Sequence, residues 1–166
     1  MTTQELPEPR FVNRRALKVA GTSMHYDAQN ADAFARQWQA FIPLIGTIPA
    51  QAGPETYGVV LGSFGGEAGF EYITGVEVSS FEKVPAKLRR LEVPAQRYAV
   101  FVHDGHVSGI RDTMYTIKKG WLPKLMVAGR TGAERGVQPD FFERYGKDFD
   151  PKTATGKIEL WVPLKR

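Results

Sequence analysis

The sequence predicts an α+β fold in which one unit of strand, helix and further strands occurs twice. Three observations predict it. Two separated stretches place apolar residues at steps of three and four, Phe34-Trp38-Phe41-Ile45 and Val107-Ile110-Met114-Ile117-Trp121, each a single helical stripe. Around them lie short runs of β-branched and aromatic residues in period-two alternation, of which Phe70 to Ser79 is the cleanest. Short segments also recur in one order in the two halves: Ala16-Leu17-Lys18-Val19-Ala20 with Ala95-Gln96-Arg97-Tyr98-Ala99, Phe41-Ile42-Pro43 with Trp121-Leu122-Pro123, and Gly62-Ser63-Phe64 with Gly146-Lys147-Asp148-Phe149. Two such halves related by a pseudo-two-fold axis put both helices on one face of a sheet. They leave a cleft where they meet, a favoured place for a small-molecule pocket.

Taken in order, residues 1–13 read as a loose tail, polar and broken by Pro7 and Pro9, and residues 14–166 as one domain with halves of about 14–93 and 94–166. Arg14 to Tyr26 carries strand residues. Asp27 to Asp32 is rich in capping residues and opens the first helix, which ends near Pro43 or Gly46. Ile48 to Glu55 reads as a loop because of Pro49, Gly53 and Pro54. Tyr57 to Phe64 and Phe70 to Ser79 are strands joined by a glycine-rich hairpin, and Leu88 to Val93 and Gln96 to His103 are two more. Pro123 stops the second helix. Met126 to Gln138, with Gly129, Gly132 and Gly136, reads as a mobile loop, and Lys157 to Leu164 closes the chain as a strand.

Composition narrows the functional classes. At 166 residues, 42% hydrophobic and 24% charged, the chain has the size and balance of an ordinary domain able to bury a core without staples. It contains no cysteine, which excludes disulfides, thiolate nucleophiles and cysteine-based zinc sites. The first thirty residues lack the apolar run of a signal peptide and no stretch is long enough to span a bilayer, so the expectation is cytoplasmic with no membrane partner. The net charge of +4 is spread thinly over Arg14-Arg15, Lys87 to Arg90, Lys118-Lys119 and Lys165-Arg166, with no basic block interleaved with aromatics. Direct DNA binding is therefore not expected.

The chemistry centres on Asp140-Phe141-Phe142-Glu143-Arg144-Tyr145, where the carboxylate of Glu143 stands among three aromatic rings. On a strand, Phe141, Glu143 and Tyr145 share one face, Phe142 and Arg144 the other. Two fates are open to Glu143: a solvated charge on a sheet surface, or an acid in an aromatic-walled cavity that needs a cationic or hydrogen-bonding partner. Other signals are weaker. His103-Asp104-Gly105-His106 offers too few ligands for a metal, so no metal is expected. Ser63 lacks nucleophile-elbow spacing, and no phosphate-cradling glycine loop is present, so no cofactor is expected.

The runs Phe70-Glu71-Tyr72-Ile73-Thr74-Gly75-Val76-Glu77-Val78 and Leu91-Glu92-Val93-Pro94-Ala95-Gln96-Arg97-Tyr98-Ala99-Val100-Phe101, with His103 and Gly105, resemble the GyrI-like effector-binding domain. So do Trp121-Leu122-Pro123, Phe142-Glu143-Arg144-Tyr145 and Ile158-Glu159-Leu160-Trp161-Val162-Pro163. The resemblance runs from about Arg14 to Leu164. It implies tandem βαβββ-type halves around a central cleft that binds lipophilic, aromatic, often cationic molecules, with Glu143 as counter-charge. It also implies a relation to transcription regulators and multidrug binding, here in a stand-alone member with a possible protein partner such as gyrase or a separate regulator. Wall candidates are Tyr57, Tyr72, Phe101, Trp38, Trp121, Phe142, Tyr145 and Trp161. Tyr57, Tyr72 and Tyr145 stand first because a buried phenol needs a polar partner. Alternative functions are a hydrolase of strained, cyclopropane-containing natural products with Glu143 and a tyrosine polarising water, and a gyrase-inhibitor-like interaction module. The hydrolase-type relatives carry a tryptophan shortly before the pocket Glu, where this chain has Glu134-Arg135-Gly136-Val137.

Overall fold

The computed structural model describes residues 8–27, 29–30, 33–62, 68–124 and 139–164. Eight strands form one antiparallel sheet: β1 (Arg10–Arg14), β2 (Leu17–Tyr26), β3 (Gln51–Gly62), β4 (Phe70–Val78), β5 (Arg89–Val93), β6 (Gln96–His106), β7 (Phe141–Asp150) and β8 (Thr155–Pro163). Their order across the sheet is β1-β6-β8-β7-β3-β4-β2-β5, so β7 and β3 are the central pair and β1 and β5 the edges. Among the described residues two short α-helices accompany the sheet: α1 (Phe34–Phe41) and α2 (Ile110–Gly120). The expected balance of helix and strand is thus corrected to a mostly β architecture.

Both helices sit where their stripes predict. Phe34 and Trp38 of α1 and Ile110, Met114 and Ile117 of α2 pack with Tyr72, Phe101 and Tyr145 on one face of the sheet. On the opposite face the described core residues all come from strands, among them Leu17, Val59, Ile73, Tyr98, Phe142 and Trp161. The sheet curls around this second face. Arg14 on edge strand β1 reaches over four intervening strands to β4, where it donates to Glu77 at 3.2 Å, and to the Tyr57 hydroxyl on β3 at 3.1 Å. Curling of this degree needs backbones to touch. Gly21 of β2 faces Gly75 of β4, and a Cβ on Gly21 would lie 1.9 Å from the Thr74 carbonyl oxygen.

Three element boundaries differ from the sequence reading. The loose tail ends earlier than residue 13, because Arg10–Arg14 pairs in register with β6, with Arg10 bound to Glu159 and Arg97 lying over Phe11. The strand expected over Arg14 to Tyr26 is β2, which starts at Leu17, and Arg14 is instead the last residue of β1. The loop expected over Ile48 to Glu55 is strand from Gln51 onward. Its Gly53 and Pro54 fall in a register irregularity between Gln51 and Thr56, where proline is tolerated. The expected mobile loop over Met126 to Gln138 and most of the glycine-rich hairpin lie outside the described residues. Among the described residues no helix is long and apolar enough to cross a membrane.

Candidate functional site

Strand register places Glu143 at the middle of the sheet. It stands on β7, opposite Gly58 of β3 on one side and Leu160 of β8 on the other, on the face that carries both helices. The side chain is 5% exposed, so the solvated-charge alternative falls. Arg144, its neighbour in sequence, points to the other face and pairs with Glu55 at 3.1 Å and Glu159 at 3.2 Å. Among the described residues no cation meets Glu143.

Phenols hold the acid instead. The Tyr72 hydroxyl from β4 donates to Glu143 Oε1, and the Tyr145 hydroxyl donates to the same oxygen at 2.9 Å. Trp38 Nε1 of α1 in turn donates to the Tyr72 oxygen at 3.1 Å. Burial pushes the Glu143 carboxyl up to about 7, against the opposing pull of the two phenols. Burial, reinforced by the charge of Glu143, drives both Tyr72 and Tyr145 well above the ordinary phenol range, so both remain donors. Desolvating a carboxylate costs several kcal/mol, and two hydrogen bonds to a charged group return about 1.5–3 kcal/mol each. The acid is therefore poised between its two protonation states near neutrality.

Of the wall candidates, five share the face of Glu143. Tyr72 and Tyr145 touch it, and Trp38 packs edge-on against Tyr145 with ring centroids 5.1 Å apart. Phe101 on β6 lies on the other side of β7 from Tyr72, with Trp121 at the end of α2 against it at 5.9 Å. The remaining three, Tyr57, Phe142 and Trp161, are not brought to the acid. They are the immediate sequence neighbours of Gly58, Glu143 and Leu160, so strand alternation turns them to the opposite face. There Phe142 stacks on Trp161 at 5.4 Å and packs against Tyr57 at 5.8 Å. The polar partner expected for the Tyr57 hydroxyl exists, but it is Arg14.

Two supporting residues escaped the sequence reading. A Cβ on Gly58 would lie 2.2 Å from the Tyr72 hydroxyl and 2.3 Å from Glu143 Oε1, so glycine is what lets the three polar atoms converge. Its signal was a lone glycine inside an apolar strand. Gln37 is buried on α1 and donates to the Tyr72 carbonyl at 2.9 Å and the Thr22 carbonyl at 3.2 Å, while its own oxygen accepts from the Tyr26 hydroxyl at 2.7 Å. A glutamine within the apolar stripe was its signal. His103 is buried between α2 and its own strand end, bonded to Thr113 at 2.7 Å and the His106 carbonyl at 2.8 Å. No group of three metal-ligating side chains occurs among the described residues.

Known proteins resemble the chain over nearly its whole length. It is 32% identical over 160 residues to the transcriptional regulator BrlR of Pseudomonas aeruginosa, covering 93% of this chain and 54% of that protein, so it spans about half the relative's length. In fold it is similar to SAV2435, solved bound to tetraphenylphosphonium, with a TM-score of 0.69 at 19% identity over 96% of this chain and 94% of that one. It is also similar to the C-terminal domain of EcmrR, with a TM-score of 0.67 at 15% identity over 96% and 98%. The family profile described as the GyrI-like small molecule binding domain matches residues 7–165, and the chain belongs to that family.

Proposed function

We propose that this domain binds lipophilic aromatic molecules, cations foremost, on the helix-bearing face of its central strands, with Glu143 as the counter-charge. The observation that carries the proposal is a buried carboxyl held only by phenols among the described residues, with the adjacent Arg144 committed elsewhere. Such an acid holds charge that a desolvated cation can meet at short range. Trp38, Tyr72, Tyr145, Phe101 and Trp121 supply ring faces and edges around it, each worth ~0.5–2 kcal/mol to a cation placed over a ring. The tetraphenylphosphonium complex of SAV2435 supports the ligand class, that ion being both aromatic and cationic. The strand order supports the duplicated halves around the β3–β7 join: β2-α1-β3-β4 and β6-α2-β7-β8 place like elements at like distances from it.

Fluorescence titration with tetraphenylphosphonium tests the counter-charge. Glu143→Gln keeps size and hydrogen bonding but removes the charge, and affinity is expected to fall about ten- to a hundredfold at neutral pH. Equal affinity of wild type and variant would remove Glu143 from the site.

A further inference from the structure

The hydrogen bonds around Glu143 are lopsided, and this bears on what the site accepts. Both phenols donate to Oε1, and the Trp38 indole, next in line, donates to the Tyr72 oxygen. Both phenol O–H groups thus point at one carboxyl oxygen, and the indole N–H supports one of those phenols. Gly58 lies beneath that oxygen with no side chain to offer. Among the described residues nothing donates to Oε2. A proton taken up by this carboxyl therefore belongs on Oε2, since Oε1 already receives two. The protonated acid then presents a hydroxyl, a hydrogen-bond donor, where the carboxylate presents only lone pairs.

We propose that the same site takes a second ligand class, uncharged aromatic molecules with a strong hydrogen-bond acceptor such as a carbonyl or phosphine oxide oxygen, which accept from Oε2–H of the protonated Glu143. The proposal rests on Glu143 being the ligand-facing acid, and it turns one residue into a two-way discriminator. A cation selects the carboxylate and sends the proton to solvent. A neutral acceptor selects the acid and draws a proton from solvent. The position of the carboxyl near neutrality puts both forms within reach.

Among the described residues no ionisable side chain other than Tyr72 and Tyr145 is bonded to Glu143. β3 contributes Gly58 and β8 contributes Leu160 opposite the acid, and β4 contributes Tyr72. β7 itself adds Tyr145, held as a donor by its raised pKa. From α1 comes Trp38, an indole that does not titrate. From α2 come apolar Met114 and Ile117, and Lys118 in its last turn is bonded to Asp140.

Two probes of similar shape separate the forms: tetraphenylphosphonium, a cation, and triphenylphosphine oxide, a neutral acceptor. Each is titrated into the wild-type protein by calorimetry at about pH 6 and about pH 8, in buffers of different ionisation enthalpy so that proton exchange is counted. The expected result is an affinity change of about tenfold between those conditions, in opposite directions for the two probes, with proton release on cation binding and uptake on oxide binding. Glu143→Gln is expected to flatten both pH profiles, and near-UV circular dichroism establishes that the variant is folded. Oxide binding that is absent, pH-independent or stronger in base overturns the proposal, while a pH-dependent cation affinity in the same experiment leaves the counter-charge intact. Cation affinity indifferent to both pH and Glu143→Gln defeats the counter-charge itself. The wild-type pH profiles stand on their own if the variant does not fold.

Discussion

Each phenol on Glu143 does a share of keeping a buried charge tolerable, and neither does enough to bring the carboxyl back to its ordinary value. Stability should register this. A carboxyl raised from 4.5 to about 7 in the folded protein binds a proton more tightly there than in the unfolded chain. Its contribution is fully present below the unfolded value and is lost as pH rises through about 7, amounting to about 3 kcal/mol over that interval. Urea denaturation across this range should show wild type losing that stability toward neutral pH and Glu143→Gln losing far less. Parallel slopes would mean that the carboxyl is not raised in solution. Which residues gather at the acid was half legible in advance. Alternation correctly put Phe141, Glu143 and Tyr145 on one side of β7. It did not tell which side of the neighbouring strands would face them, because that depends on register between β3, β7 and β8. Tyr57 and Trp161 were placed at the acid for want of a one-residue offset.

At the scale of elements, helices were the easiest to read and short polar strands the hardest. A stripe such as Ile110-Met114-Ile117 carries its own period, whereas β1 is five residues, RFVNR, with no apolar face to betray it. Its strand character comes from partners far away in sequence, Glu77, Glu159 and the β6 backbone. Arg14 is the chief of these attachments, with only 17% of its side chain exposed and with Glu77 at 12%. Arg14→Ala is expected to cost about 2 kcal/mol, by stripping Glu77 of its better-buried partner and Tyr57 of its donor. The midpoint of chemical denaturation measures it, and hydrogen exchange of β1 and β6 amides should rise with it. A change below a few tenths of a kcal/mol would mean that the edge is held by backbone pairing alone. The turn after β7 offers a converse case. Ala154 has a φ of 56°, a left-handed conformation that costs a residue with a Cβ about 1 kcal/mol, so Ala154→Gly should raise the melting temperature by a few degrees.

For the molecule as a whole, the order of strands could not be read from the sequence, because antiparallel pairing between β1 and β6 or β3 and β7 joins residues that share no local signal. That order puts Glu143 on β7, one of the two central strands. The open edges of that order have a further consequence. A sheet that ends in β1 and β5 leaves two rows of backbone groups able to recruit a passing strand, the starting point of fibres. Both rows carry exposed charged side chains, Arg10 on one and Arg90 and Glu92 on the other, which a pairing strand would have to cover. A small-molecule binding domain thereby carries charge at both margins of its sheet, where a bare strand edge would invite pairing.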